Sequence, residues 1–129
     1  MSVNRLEALV DAIGKRNGME TPSSLAYKLR SPLLLRSFAR PGKHEIDSEG
    51  RRVFESLISG YRASLFDLEL KITGQSRAKL KPADPLHKLL MAYGIDDREG
   101  AQIVVGFLRK ALDDSIDRDT QISYFKEPV

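Results

Sequence analysis

Between Asp47 and Gly74, six apolar residues recur at alternating steps of four and three: Phe54, Ile58, Tyr61, Leu65, Leu68 and Ile72. On a helix of 3.6 residues per turn, that spacing holds all six side chains on one stripe. The segment therefore predicts a long central helix over about 47–73, with the other elements packed around it. Val53, Leu57, Phe66 and Leu70 widen the stripe, so this helix is expected to touch neighbours on more than one side. Asp47 is placed to cap it, and Glu49 suits the positive end of its dipole. Gly60 inside such a helix lowers its stability by about 1 kcal/mol relative to alanine, so it is expected to mark a close crossing or a bend.

A rival pattern runs through the second half. Phe66, Leu68, Leu70 and Ile72 alternate with Asp67, Glu69, Lys71 and Thr73, the period of a half-buried strand. With Gly74-Gln75-Ser76 as a turn, this alternative gives an α+β fold with a hairpin at 66–81. Composition favours the helix, because only Ile72 and Thr73 in this stretch are β-branched.

The flanking chain is also helical in pattern. Leu6, Leu9, Val10 and Ile13 share one face of a helix over Val3 to Arg16, and Gly18 is a natural left-handed stop. Thr21-Pro22, Ser31-Pro32 and Asp84-Pro85 each set a side-chain oxygen before a proline. An oxygen can cap free N–H groups, and proline tolerates the first helical position, so helices are expected from Pro22, Pro32 and Pro85. The second of these should be short, ending near Phe38. Leu86, Leu89, Leu90 and Tyr93 form the inner face of the third, which Gly94 ends. Asp96, with Glu99 in capping-box register, opens a last helix to about Asp114, with Ile103, Val104, Phe107, Leu108, Ala111 and Leu112 inward. Beyond about 115, Ile116, Ile122, Tyr124 and Phe125 are too apolar for a solvated tail, which is expected to pack back on the helices. The expectation is an all-α fold: one domain over 1–129, a compact bundle of five to six helices. A chain of 129 residues buries enough surface to need no metal or disulfide staple.

Composition narrows the function classes. There is no cysteine, so thiol catalysis, disulfides and cysteine-ligated metals are excluded. No apolar run approaches a membrane span, and the first residues lead straight into an amphipathic helix, so a cytoplasmic location is expected. His44 with Glu45 and Asp47 reads as a polar loop, and His87 as a surface side chain; neither has a metal-site spacing. No nucleophile elbow and no glycine-rich phosphate loop is present. We therefore expect no catalytic, cofactor-binding or metal-binding residues.

Two binding surfaces are candidates. Leu33-Leu34-Leu35 and Tyr124-Phe125 offer more apolar surface than short elements usually hide, and would mark a protein partner or self-association site if exposed. The net charge is only +3, but residues 1–43 hold eight Lys/Arg against three acids, and residues 93–129 hold five against eight. Lys28, Arg30, Arg36, Arg40, Lys43, Arg51 and Arg52 could form a phosphate-binding face for nucleic acid. The short helix expected after Pro32 carries three leucines and no Asn or Gln to read adenine, which weakens that alternative. The reading that remains is a non-enzymatic helical module acting by protein–protein interaction or regulation.

Overall fold

The computed structural model describes residues 4–35, 45–46, 51–75 and 79–126. These form five α-helices packed together: α1 (Arg5–Arg16), α2 (Leu25–Leu29), α3 (Leu57–Ile72), α4 (Leu86–Ala92) and α5 (Arg98–Ala111). A terminal 3-10 helix spans Ile122–Lys126, and a two-residue antiparallel ladder joins β1 (Glu45–Ile46) to β2 (Arg52–Val53). The fold is all-α, and the segment from 66 to 72 is helix, not a hairpin strand.

α1 has the most neighbours. Its Leu9, Val10 and Ile13 are fully buried, and it packs against α5, α3 and the terminal 3-10 helix. Asn4 caps it, accepting the N–H of Leu6 at 2.9 Å, and Gly18 follows at φ +91°, the left-handed stop expected of it.

The long helix is shorter than the stripe suggests, because positions 51–56 are spent otherwise. Residues 47–50 lie outside the described residues. Arg52 and Val53 pair with β1, the Arg52 N–H donates to the Leu35 carbonyl at 2.9 Å, and that of Phe54 donates to Leu29 at 3.0 Å. Backbone donors committed to distant carbonyls cannot also bond within a helix. Phe54 is still buried, from extended chain, and the helix starts at a capping box in which Ser56 and Ser59 satisfy each other's N–H groups.

The proline rule needs correction at each site. α2 starts three residues late, where Ser24 caps the Tyr27 N–H at 3.1 Å. Pro32 opens no helix within the described residues: Ser31 Oγ accepts the Leu35 N–H at 2.9 Å over a single turn, and Leu34 sits at φ 51°. At α4, Pro85 is the cap position, but no side chain caps it. The tail does so instead, with the N–H groups of Leu86 and His87 donating to the carbonyls of Thr120 and Arg118 at 2.8 and 2.9 Å. Asp84 accepts the Lys81 N–H at 2.8 Å and meets Lys88 at 3.4 Å; that backbone bond, above all, holds its carboxyl below the usual range.

α5 is capped by Asp97, not Asp96, through the Gly100 N–H at 2.9 Å. Its inner face is Gly100, Ala101, Val104, Val105 and Leu108, while Ile103 and Ala111, expected inward, are exposed. The acidic stretch after it closes local turns: Asp113 accepts from Ser115 and Asp117 from Asp119. Ile122 and Phe125 then bury completely against the helices.

A buried hydroxyl lacks a partner among the described residues. Ser64 is fully buried on α3, and its hydroxyl makes no hydrogen bond among the described residues. An unsatisfied buried hydroxyl is costly, so Ser64→Ala is expected to stabilise the protein by about 1 kcal/mol. A rise in the urea midpoint at unchanged slope would register this; a fall would mean the hydroxyl has a partner.

Candidate interaction groove

The stripe on α3 is not evenly covered. Leu68 and Ile72, near the C-terminal end, are sealed under neighbouring elements. Leu65 and Tyr61, one and two turns earlier, are half-buried. Ile58 is 65% exposed and Leu57 beside it 55%. The helix presents a continuous apolar line whose first half has no lid among the described residues.

Across from that open half stands α1. Val10, Asp11, Gly14 and Lys15 form one wall; Leu57, Ile58, Tyr61, Arg62 and Leu65 form the other; Met19, Glu20 and Pro32 close one end. The space between is about 550 Å³. That lies within the range of ligand-binding clefts, which are mostly apolar with a few placed polar groups.

Those polar groups are perturbed. Asp11 makes no hydrogen bond or ion pair among the described residues, and partial burial pushes its carboxyl above the usual value. Lys15, one turn on, partly offsets this, while Glu7 and Glu20 reinforce it. The Lys15 ammonium lies over the Phe107 ring at 5.5 Å. Burial, then the negative charges of Asp11 and Glu7, push the Tyr61 hydroxyl up to about 12, and that hydroxyl donates to the Glu7 carbonyl at 3.4 Å.

Tyr93, on the far side of α3, is also raised well above its ordinary value, by burial and by Asp67, whose carboxylate accepts its hydroxyl proton at 2.7 Å. Both phenols ionise more readily in the unfolded chain. Their stabilisation is therefore complete below about pH 10 and is lost as pH rises through the folded values. We expect the urea midpoint to fall from pH 10 to 12, and less so in Tyr61→Phe/Tyr93→Phe; a flat alkaline profile in the wild type would contradict this.

A second cavity of about 450 Å³ lies between Leu33–Leu35, Arg51 and the Asp67–Lys71–Tyr93 cluster. Lys71 meets Asp67 at 2.6 Å and stands over the Tyr93 ring at 4.7 Å, so these groups satisfy one another.

The apolar surface expected at Leu33, Leu34, Leu35, Tyr124 and Phe125 is not an exposed patch. Leu33, Leu35 and Phe125 are core residues, and Leu34 and Tyr124 are half-buried. Tyr124 is covered by the Arg5 guanidinium at 4.0 Å and meets the edge of Phe125 at 5.1 Å. Short elements can bury every apolar residue when, as here, the tail caps α4 and completes the core. Of the basic candidates, Lys28 and Arg30 are exposed, but Arg30 donates to the Phe54 carbonyl at 3.1 Å. Arg52 stacks on the Phe54 ring at 4.7 Å, and Arg51 lines the second cavity. Arg36, Arg40 and Lys43 lie outside the described residues, as does His44. His87 is half-buried, with Nε2 3.7 Å from Asp119.

The groove's α3 wall, Leu57 and Ile58 above all, was read from sequence as inward-facing. The signal that could have found it is the stripe's width: eight of its ten apolar positions fall on α3, more than its neighbours cover. No protein-family model, curated protein or solved structure matches this chain.

Proposed function

We propose that this protein is a non-enzymatic binding module of the cytoplasm, acting by protein–protein interaction through the groove between α1 and α3. The observation that carries this reading is the exposure of Leu57 and Ile58 on a stripe that is sealed further along. Fully burying a side chain of this kind contributes roughly 1.5–3 kcal/mol. A partner covering both residues, with Tyr61 and Leu65 beneath, would gain a compact apolar centre of the kind that dominates binding energy. The lack of cysteine accords with a reducing compartment, and no helix among the described residues is long and apolar enough to cross a membrane. The basic segment around 28–52 is a weaker candidate for contact with nucleic acid, because Arg30 and Arg52 are engaged on Phe54.

A photo-crosslinking residue at position 58, compared with the exposed position 102 on α5, tests this reading in living cells. We expect discrete protein adducts from 58 only, lost when Leu57→Asp is added. Equal adducts from both positions, or none from 58, would count against the groove. An adduct of twice the chain's mass would identify the partner as a second copy.

A further inference from the structure

Resting on that reading, the charges around the groove say what kind of partner fits it. The apolar side of the groove follows one helix. It runs along α3 from Leu57 through Ile58 and Tyr61 to Leu65, about two turns of helix. Its top is open: the most exposed side chains stand at its lip, where a small molecule would stay wet on one side. An element of similar width, with its own apolar stripe, is the matching shape. A partner helix laying residues i, i+3, i+4 and i+7 into the cleft has that form.

The two walls differ in charge. The α1 side carries Asp11, with Glu7 and Glu20 close enough to raise its affinity for a proton, and Lys15, which opposes them and whose ammonium stands over the Phe107 ring. The α3 side carries Arg62, which makes no hydrogen bond or ion pair among the described residues. Asp11 likewise makes no hydrogen bond or ion pair among the described residues, and Lys15 offsets its charge only in part. Each would be further desolvated by an occupant, so an occupant leaving either unanswered would bind poorly. One that places a cation against Asp11 and an anion against Arg62 removes both penalties and gains registration along the groove.

We propose that the groove takes an amphipathic helix of another protein, its apolar stripe filling the cleft, with Lys or Arg on the flank facing α1 and Asp or Glu on the flank facing Arg62.

The test is a displayed library of 18-residue helical peptides. Leucine is fixed at i, i+3, i+4 and i+7, and both flanking rows are randomised among Lys, Glu, Gln and Ala. It is selected against the whole protein, with Ile58→Asp as the counter-target and thermal melts confirming that each variant is folded. The expected winners carry Lys on one flank and Glu on the other and bind Ile58→Asp at least about tenfold more weakly. With Asp11→Lys, both walls are basic, and the winners should lose their Lys flank in favour of Glu. Peptides selected on the wild type should bind Asp11→Lys about tenfold or more weakly, like charges now facing each other. Winners with neutral flanks, or winners indifferent to Asp11→Lys, would overturn the charge assignment while leaving groove binding intact. No enrichment over the Ile58→Asp counter-target would overturn both. Concentration-dependent dimers of the wild type that Ile58→Asp abolishes would give the groove to a second copy instead, which also overturns this inference.

Discussion

Gly60→Ala is expected to destabilise the protein by more than about 3 kcal/mol, or to prevent folding, although alanine is the better helix former. The carbonyl of Arg30, the left-handed residue that ends α2, is directed at the α3 backbone at this point. A Cβ on Gly60 would collide with that oxygen and lie 2.9 Å from its carbon. These are backbone atoms held by the Arg30–Ser31 corner, so no side-chain rotation relieves the clash. Overpacking usually costs about 1–3 kcal/mol, and a backbone collision belongs at or beyond the top of that range. Gly106 on α5 is the matched control: nothing lies within 4 Å of its added Cβ. There alanine should stabilise by about 1 kcal/mol through propensity alone. Urea unfolding of both variants separates the effects. If Gly60→Ala behaves like Gly106→Ala, the Arg30 carbonyl does not meet the α3 backbone as described.

Phe125→Ala should cost about 3–5 kcal/mol, the range for removing a fully buried phenylalanine. Phe125 is 0% exposed, although it lies five residues from the chain's end. The effect should reach α4. The tail carbonyls that accept from Leu86 and His87 stay in place because Ile122 and Phe125 anchor the segment, with the Ile122 N–H donating to Asp84 at 2.9 Å and that of Ser123 to Pro82 at 3.0 Å. With the anchor gone, the Leu86 and His87 amides should exchange with solvent at the rate of local opening instead of global unfolding. Equilibrium unfolding and amide exchange read the two parts separately. A loss below about 1 kcal/mol, or unchanged protection at Leu86, would mean that the tail merely decorates the bundle.

The parts of this fold legible in the sequence are those governed by neighbours within one or two turns. α1 follows from the Leu6–Ile13 face and Gly18, and α4 from Leu86, Leu89 and Leu90 with Gly94 at φ +81°. The return of the tail follows from Ile122 and Phe125. What failed depends on distant backbone. Arg52 and Phe54 look helical beside Ile58, but their N–H groups are taken by Leu35 and Leu29, which no local pattern reveals. The proline sites failed because Ser24 was available two residues beyond Pro22 and because α4 is capped by a chain segment some thirty residues on. The groove failed for a related reason. Periodicity shows that Ile58 and Leu68 share a face, but not where the covering helix stops. Glu69, Lys71 and Thr73 gave the strand reading its alternation, yet they lie on α3 and its cap.

A single apolar line on α3 is sealed at one end and open to solvent at the other. Because the chain contains no cysteine, one introduced thiol is unique, and its reaction rate reports its own burial. Ile58→Cys should react with a maleimide within about tenfold of a free thiol's rate, and Leu68→Cys at least about a thousandfold more slowly, limited by opening of the fold. A thiol at position 58 as protected as one at position 68, in the isolated monomer, would contradict the claim and remove the groove with it.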